Sequence, residues 1–203
     1  MYQNDSGESA GAIAYGAVES LWMETLIANY ANVSRIRLCP ATDDTPTPGT
    51  ISAGDVATAW SWVNGSTNYC YAMNAWLYTL EGNQYFLSDL DKYFLKDSAI
   101  KYPSTTPFFM DAIWPDLWVF TNSPPARNLF TGLKDSGQIS RCTIARHLSN
   151  APKAAPRSVP PGKPLVGGIG MSFADSHVEM VKLEKLWEKT WHKGYEPQTV
   201  RPP

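Results

Sequence analysis

The sequence has little of several features that would assign it to a common class of protein. Its formal net charge is -2, with Lys+Arg 17 against Asp+Glu 19, so it has no basic surplus with which to bind nucleic acid. It contains no run of 18 apolar residues, and we therefore expect no membrane-spanning segment in this chain. Its first residues show no basic stretch followed by an apolar one, so no signal peptide is recognisable.

Cysteine is also scarce. The three thiols, Cys39, Cys70 and Cys142, form neither a disulfide framework nor a Cys-x-x-Cys metal motif. One disulfide with one free thiol, or three buried thiols, are both open, and buried thiols are the commoner state of cysteine. The sequence therefore does not determine the disulfide pairing or the redox compartment.

Aromatic and turn-forming residues are abundant. The 203 residues include 8 Trp, 10 Tyr and 7 Phe, together with 14 Gly and 16 Pro. We predict one α+β domain over residues 1–203, an antiparallel β-sheet with a flanking N-terminal helix and long loop insertions. Residues 151–164 are predicted to form a proline-rich exposed loop, and residues 195–203 a flexible tail with little to pack.

Local patterns predict the elements of the first half of the chain. Apolar residues at helical spacing predict a helix over residues 20–30, and apolar residues alternating with arginine predict a short strand over residues 35–38. Asn64-Gly65 is a strong hairpin signal, followed by a return strand or a short helix. Pro115 prevents the apolar stretch around it from forming one continuous central strand.

The second half is predicted in the same way. Residues 84–95 predict a short amphipathic helix, and the alternation over residues 139–147 predicts a strand. Residues 166–181 predict a hairpin that turns on residues 174–176, and its glycines permit a close backbone approach at the strand entrance. Four side chains are the predicted buried face of this hairpin: Met171, Phe173, Val178 and Met180.

Two histidines and an aspartate form the first candidate site. If the predicted hairpin lies beside the strand ending at His147, then His147, Asp175 and His177 come close together, and imidazole with carboxylate suits zinc. No second motif supplies the missing ligands at a recognisable spacing. The favoured interpretation is structural: Asp175 fixes the turn through its own backbone, and His147 hydrogen-bonds to it.

Other chemistry finds less support in the sequence. No GxSxG elbow occurs, and neither Ser172 nor Ser176 lies in a recognisable nucleophile context. The glycine run over residues 166–170 lacks the Lys-Ser/Thr of a phosphate loop. A structural calcium ion is compatible with scattered acidic residues, although none follows a spaced loop motif: Asp43, Asp44, Asp111, Asp116 and Asp175.

The tryptophans allow two interpretations. Trp60 and Trp62 share one strand face, as an exposed platform for stacking sugars would require. Core packing is the commoner fate of tryptophan. The same choice applies to the remaining members of the set: Trp76, Trp114, Trp118, Trp187 and Trp191. An extracellular carbohydrate-binding module is therefore the alternative function.

Five segments carry a resemblance to a known family, in the order IRLCPAT, NYCYAMNAWLY, FFMDAIWPDLW, ISRCTIARH and GIGMSFADSHVEMVKLEKLWEKTWH. Together they resemble the C-terminal body of type II secretion pseudopilins, prepilin-type proteins with a His-x9-Asp-Gly processing-associated domain, of planctomycete and verrucomicrobial type. The segment FADSHVE is similar to the family's FADGHVE, with Ser176 at the glycine position. Between His147 and Asp175 lie 27 residues rather than nine, because the proline-rich loop is inserted.

The resemblance implies a pilin-like fold and a structural subunit of a type II secretion or surface filament, not an enzyme. Its implied partners are other pilin-like subunits and the secretion machinery, and its implied location is the periplasm or cell surface. The family's hydrophobic N-terminal helix, which anchors the subunit in the inner membrane before assembly, is missing. We expect an engineered soluble fragment or a processed protein. No catalytic residue, resident metal or cofactor is expected.

Overall fold

The computed structural model describes residues 22, 34–42, 51–62, 67–80, 86–136, 138–149 and 151–203. Of the helix predicted over residues 20–30, only Trp22 belongs to this part. The turn residues Asn64 and Gly65 lie outside the described residues. Among the described residues, no helix is both long and apolar enough to cross a membrane.

Within the described residues, seven strands form two sheets. They are β1 Trp60–Trp62, β2 Thr67–Tyr69, β3 Tyr71–Asn74, β4 Pro107–Asp111, β5 Asp116–Leu117, β6 Gly168–Phe173 and β7 Val178–Lys182. Strands β1 and β2 form an antiparallel pair, which confirms the predicted hairpin on either side of the turn. The other five form one sheet in the order β5-β3-β4-β6-β7, antiparallel except where β3 meets β5.

Short 3-10 helices connect the strands. They are Ser34–Arg37, Ala75–Leu77, Leu87–Lys92, Asp97–Ala99, Lys134–Ser136, Ile139–Arg141, Pro152–Ala154 and Leu183–Glu188. The short helix predicted over residues 84–95 corresponds to Leu87–Lys92. The described part thus combines short, mostly antiparallel strands with short 3-10 helices, which agrees only loosely with the α+β prediction.

Pro115 interrupts the apolar stretch as predicted. Strand β4 ends at Asp111, and the chain turns before β5 begins at Asp116. The carbonyl of Pro115 accepts a hydrogen bond from Met73 N at 2.9 Å, so that β5 joins the far side of β3. A proline cannot donate to a sheet ladder, and here it lies between two strands rather than inside one.

The hairpin of β6 and β7 is confirmed, but half of its predicted buried face is wrong. Met171 and Phe173 are buried, whereas Val178 is 72% exposed and Met180 46% exposed. Val178 is paired with Ser172 and Met180 with Gly170. Side chains of paired residues lie on the same face, and successive residues alternate, so these two point away from Met171 and Phe173.

Tryptophans fill the core on the sheet face opposite Val178 and Met180. Trp76, Trp187 and Trp191 are fully buried, and their indole N–H groups donate to backbone carbonyls at 2.8–3.0 Å. Each ring therefore buries a large apolar surface while its one polar group has a partner. The last predicted amphipathic turn contributes Leu183 and Leu186 to the same core.

Two predicted strands are wrong. Residues 35–38 begin in the 3-10 helix Ser34–Arg37. Residues 139–147 begin in the 3-10 helix Ile139–Arg141 and meet a strand only at the bridge between His147 and Gly168. In this second segment the alternation misleads because the arginines are buried: every residue from 139 to 146 is buried.

The proline-rich segment and the C-terminal tail are held by backbone contacts. Over residues 151–164 the chain is a loop as predicted, yet Ala155 and Val159 are buried and Val159 N donates to Arg127 O at 2.8 Å. The predicted tail is packed at Tyr195 and Gln198, whereas Thr199, Val200 and Pro203 are exposed. Tyr195 is 4% exposed, and Gln198 N donates to Trp187 O at 2.8 Å.

Candidate functional site

An apolar groove lies on the sheet face opposite the tryptophan core. Its volume is about 530 Å³, and its walls include Trp22, Ile36, Tyr71, Phe109, Gly170 and Val178. Trp22 stacks on Phe109, with ring centroids 4.5 Å apart and planes at 26°. Because Gly170 has no side chain, the space above Asp111 stays open between β4 and β6.

Three side chains with potential metal-ligating atoms meet in this groove. His147 Nε2 lies 3.3 Å from Cys39 Sγ and 3.1 Å from Asp111 Oδ2. The three ligand atoms are all within 4.8 Å of one another. In the described part of the chain, this Cys-Asp-His cluster is the one group of three Cys, His, Asp or Glu residues close enough to share an ion.

Asp111 is held rigidly from both sides. Its Oδ1 accepts from Arg146 Nη1 at 3.1 Å, and its Oδ2 accepts from Gly170 N at 2.7 Å. Arg146 is itself anchored by the carbonyls of Cys70 at 2.8 Å and Asp55 at 2.7 Å. Both charged side chains are almost fully buried, at 0% and 1% exposure, so the carboxylate has a fixed direction toward the groove.

His147 is positioned by close backbone contact with β6. Its N–H donates to Gly168 O at 2.9 Å, and Gly168 N donates back to His147 O at 2.7 Å. A Cβ at Gly168 would lie 2.6 Å from Val181 O, and Gly167 has a φ of +90°. The predicted reason for these glycines, a close backbone approach at the strand entrance, is confirmed.

Cys39 follows the 3-10 helix Ser34–Arg37 and is 3% exposed. Its carbonyl accepts from Thr42 N at 3.0 Å and from Thr42 Oγ1 at 2.7 Å. All three cysteines are free and buried, so of the two open alternatives the structure has three buried thiols. Burial raises the pKa of the Cys70 thiol.

The electrostatics of the cluster favour an ion pair. Burial alone would raise the pKa of Asp111, but the hydrogen bond with His147 and the charge of Arg146 outweigh it and hold this pKa below its ordinary value. The hydrogen bond with Asp111, followed by that with Cys39, raises the pKa of His147 to about 9. At neutral pH the metal-free cluster therefore contains a carboxylate and an imidazolium.

This geometry does not suit a nucleophilic relay. In a Cys-His-Asp relay, one ring nitrogen faces the thiol and the other faces the carboxylate. Here both contacts involve Nε2 of His147. The cluster is arranged as three groups around one point, which suits a bound cation better than proton transfer.

The predicted pairing of His147 with Asp175 is wrong. His147 bridges to Gly168 at the first residue of β6, whereas Asp175 lies in the turn beyond its last residue, Phe173. A strand of this length, at roughly 3.3 Å per residue, separates the two. The candidate metal site combining His147, Asp175 and His177 is wrong for the same reason.

Asp175 nevertheless has the contacts expected of a turn-fixing residue. Its Oδ1 accepts from His177 N at 3.2 Å and lies 2.6 Å from His177 Nδ1. Ser176 adopts a φ of 76°, and its N–H donates to Phe173 O at 2.9 Å. The glycine position of the family motif therefore has the left-handed conformation that glycine favours, here adopted by serine.

The predicted exposed platform at Trp60 is wrong. Trp60 is fully buried, stacks on Tyr69 at 4.5 Å, and donates from its indole N–H to Tyr71 O at 3.2 Å. The side chain of Trp62 lies outside the described part of the structure. Every other tryptophan of the described residues is at most 7% exposed. Their large apolar rings pack in the core, and Trp22 also forms part of the groove wall.

Among the described residues, the candidate calcium ligands Asp111, Asp116 and Asp175 do not form a group that could hold an ion together. Asp111 and Asp116 each pair with a buried arginine, at 3.1 and 2.7 Å. Asp175 pairs with His177 in the turn, and Asp43 and Asp44 lie outside the described residues.

One feature of the sequence could have identified Asp111 as a site residue. It is a charged residue inside the apolar stretch FFMDAIW, where burial requires a partner.

Comparison of the chain with protein-family models, with curated proteins and with solved structures finds no match. The described residues form two β-sheets joined by loops and short 3-10 helices, with an open apolar groove on one sheet face. At the base of that groove lies a buried Cys-Asp-His cluster.

Proposed function

We propose that this chain is a pilin-like structural subunit of a bacterial type II secretion or surface filament, which acts by assembly and not by catalysis. The observation that carries the proposal is the position of Trp22. This residue belongs to the segment predicted as an N-terminal helix, is 5% exposed, and stacks on Phe109 of the mainly antiparallel sheet. A pilin-like subunit requires such packing of its N-terminal segment on the sheet.

The two halves of the family motif are also consistent with this proposal. The segment ending at His147 and the segment beginning at Gly168 are hydrogen-bonded to each other in both directions. The proline-rich insertion therefore leaves the sheet and returns to it at one bridge. The longer spacing between His147 and Asp175 lies in the loop between this bridge and the hairpin.

The exposed apolar residues suit a partner surface. Val178 and Met180 belong to β7, an edge strand of the five-stranded sheet, and they are 72% and 46% exposed. Ile36 is 40% exposed and, like Val178, lines the groove. Unpaired edge strands and contiguous apolar surface are typical of contacts between chains. Other pilin-like subunits, in the periplasm or at the cell surface, are the proposed partners.

Site-specific photo-crosslinking in the source bacterium tests the proposal. A photoreactive amino acid replaces Met180 on β7, and in the control it replaces Val200, which is 79% exposed and does not line the groove. We expect crosslinks from position 180 to another copy of the chain or to another pilin-like subunit, and few from position 200. If position 180 gives no crosslink to such subunits while the protein is expressed and folded, the proposed function is wrong.

A further inference from the structure

We propose that Cys39, Asp111 and His147 bind one divalent transition-metal ion, with Zn²⁺ the best fit, and that its fourth coordination position opens into the groove. This inference goes beyond assembly and does not depend on it. It stands on the convergence of three donor atoms that lie on three separate segments of the chain.

The distances are close to those of a tetrahedral zinc site. Zinc bonds of about 2.0–2.3 Å at tetrahedral angles place ligand atoms roughly 3.3–3.6 Å apart. His147 Nε2 lies 3.3 Å from Cys39 Sγ and 3.1 Å from Asp111 Oδ2. These two separations need to increase by only a few tenths of an ångström, and the third pair of ligand atoms, on Cys39 and Asp111, lies within 4.8 Å.

The donor set is also appropriate. Thiolate, imidazole and carboxylate are all common zinc ligands, whereas calcium and magnesium require oxygen ligands. Two of the three can carry negative charge, which outweighs the single positive charge of Arg146 beside Asp111. Metal ligation uses neutral imidazole and thiolate, so protons held by these two ligands are released to solvent when the ion binds.

The surroundings of Asp111 resemble the outer shell of a metal centre. Ligating carboxylates in proteins are themselves hydrogen-bonded, which fixes their direction. Asp111 Oδ1 is held by Arg146, and Oδ2 accepts from Gly170 N at 2.7 Å while it faces His147. The carboxylate thus points at the shared position before any ion is bound.

One position of the proposed site stays open. Cys39, Asp111 and His147 all line the groove, and the side chain of His147 is 26% exposed. Three protein ligands with one position facing an open space correspond to a zinc site that exchanges its fourth ligand with solvent. The ion would also tie the segment around Cys39 to the sheet, because its ligands come from that segment, from β4 and from the chain next to β6.

The experiment is a titration of the full chain, freed of metal with a chelator, with Co²⁺ and Zn²⁺. Cobalt is used because a bound thiolate gives it an intense charge-transfer absorption in the near ultraviolet. We expect one equivalent of Co²⁺ to produce this band and one equivalent of Zn²⁺ to remove it. Absence of the band in the folded wild-type chain would overturn the proposal, whatever the variants do.

Variants locate the ion. Cys39→Ser and His147→Gln are expected to weaken Zn²⁺ binding ~100-fold or more, because even loss of an outer-shell partner costs about 10–100-fold. The matched controls are Cys142→Ser, a buried thiol in the core, and His177→Gln, a histidine in the β6–β7 turn. Controls that lose binding equally, or a Cys39→Ser variant that keeps the thiolate band, would refute the assignment.

Discussion

Two buried ion pairs with the same composition have different surroundings in this molecule. Asp111 pairs with Arg146, and Asp116 pairs with Arg141. The two aspartates are five residues apart along the chain, and so are the two arginines. Asp116 Oδ1 lies 2.7 Å from Arg141, and its Oδ2 accepts from the hydroxyl of Tyr78 at 3.3 Å. Asp111 Oδ2 instead faces His147 in the open groove.

The two pairs show that a buried Asp-Arg pair can have a structural role at one position and belong to a candidate binding site at another. Removing two charges from water is costly, and such a pair persists only where hydrogen bonds satisfy both partners. At Asp116 the neighbours are a hydroxyl group and the backbone of the core. At Asp111 they are an imidazole and, beyond it, a thiol. We therefore treat Asp116 as structural and Asp111 as part of a candidate metal site.

The largest expected effect comes from breaking each pair. Asp116→Asn and Asp111→Asn each leave an arginine charge in the interior, and each should lower the free energy of unfolding by about 3–5 kcal/mol. Urea denaturation measures this loss. Only Asp111→Asn should also lose Zn²⁺ binding. Equal loss of binding in both variants would remove the distinction between the two pairs.

Stabilisation of the folded protein by bound Zn²⁺ is the next largest effect. At a free concentration 100 times the dissociation constant, a ligand specific to the folded state stabilises it by about 2.7 kcal/mol. We expect this increase in wild type and in Asp116→Asn, but not in Cys39→Ser. Thermal unfolding with and without Zn²⁺ is the measurement. A similar increase in Cys39→Ser would place the ion elsewhere.

The pH dependence of the metal-free protein is a smaller effect. The pKa of His147 is raised from 6.5 to about 9 in the folded state, chiefly by Asp111 and then by Cys39, in a cluster that Arg146 and Tyr71 also face. The folded state thus holds this proton more tightly than the unfolded state. The resulting stabilisation is fully present below pH 6.5 and is lost as the pH rises through 9.

Denaturation in chelator at several pH values checks this. The stability difference between wild type and His147→Gln should shrink between pH 6.5 and 9. A difference that stays constant over this range would mean that His147 carries no ion pair with Asp111.

The smallest expected effect lies in the exposed turn. Asp175→Ala removes the acceptor of the hydrogen bond from His177 N and should produce a small decrease in melting temperature. Zinc binding should be unchanged, because Asp175 and the Cys-Asp-His cluster lie at opposite ends of β6. An unchanged melting temperature would argue against a turn-fixing role for Asp175.

Local features of the fold were predictable from the sequence. The break at Pro115, the hairpin of β6 and β7, and the close approach at Gly168 each depend on a few neighbouring residues. The buried face of the hairpin was not predictable in full. Val178 and Met180 are apolar but lie on the groove face, and only the order of the strands decides which face is covered.

The candidate site depends on the same long-range order. Cys39 and His147 are 108 positions apart in the chain, and the pairing of β3 with β4 and of β4 with β6 brings them together around Asp111. His147 was predicted to pair with Asp175 because the predicted hairpin was expected to lie beside a strand ending at His147. No local spacing indicated that the partner lay in an apolar strand, and the alternation over residues 139–147 concealed that Arg146 is buried.

A crystal structure of the full chain grown with Zn²⁺, with anomalous data on both sides of the zinc absorption edge, would locate the ion itself. We expect one strong anomalous peak at bonding distance from Cys39 Sγ, Asp111 Oδ2 and His147 Nε2, with the fourth position facing the groove. A map without a peak there, or with zinc only at surface histidines such as His177, would contradict it.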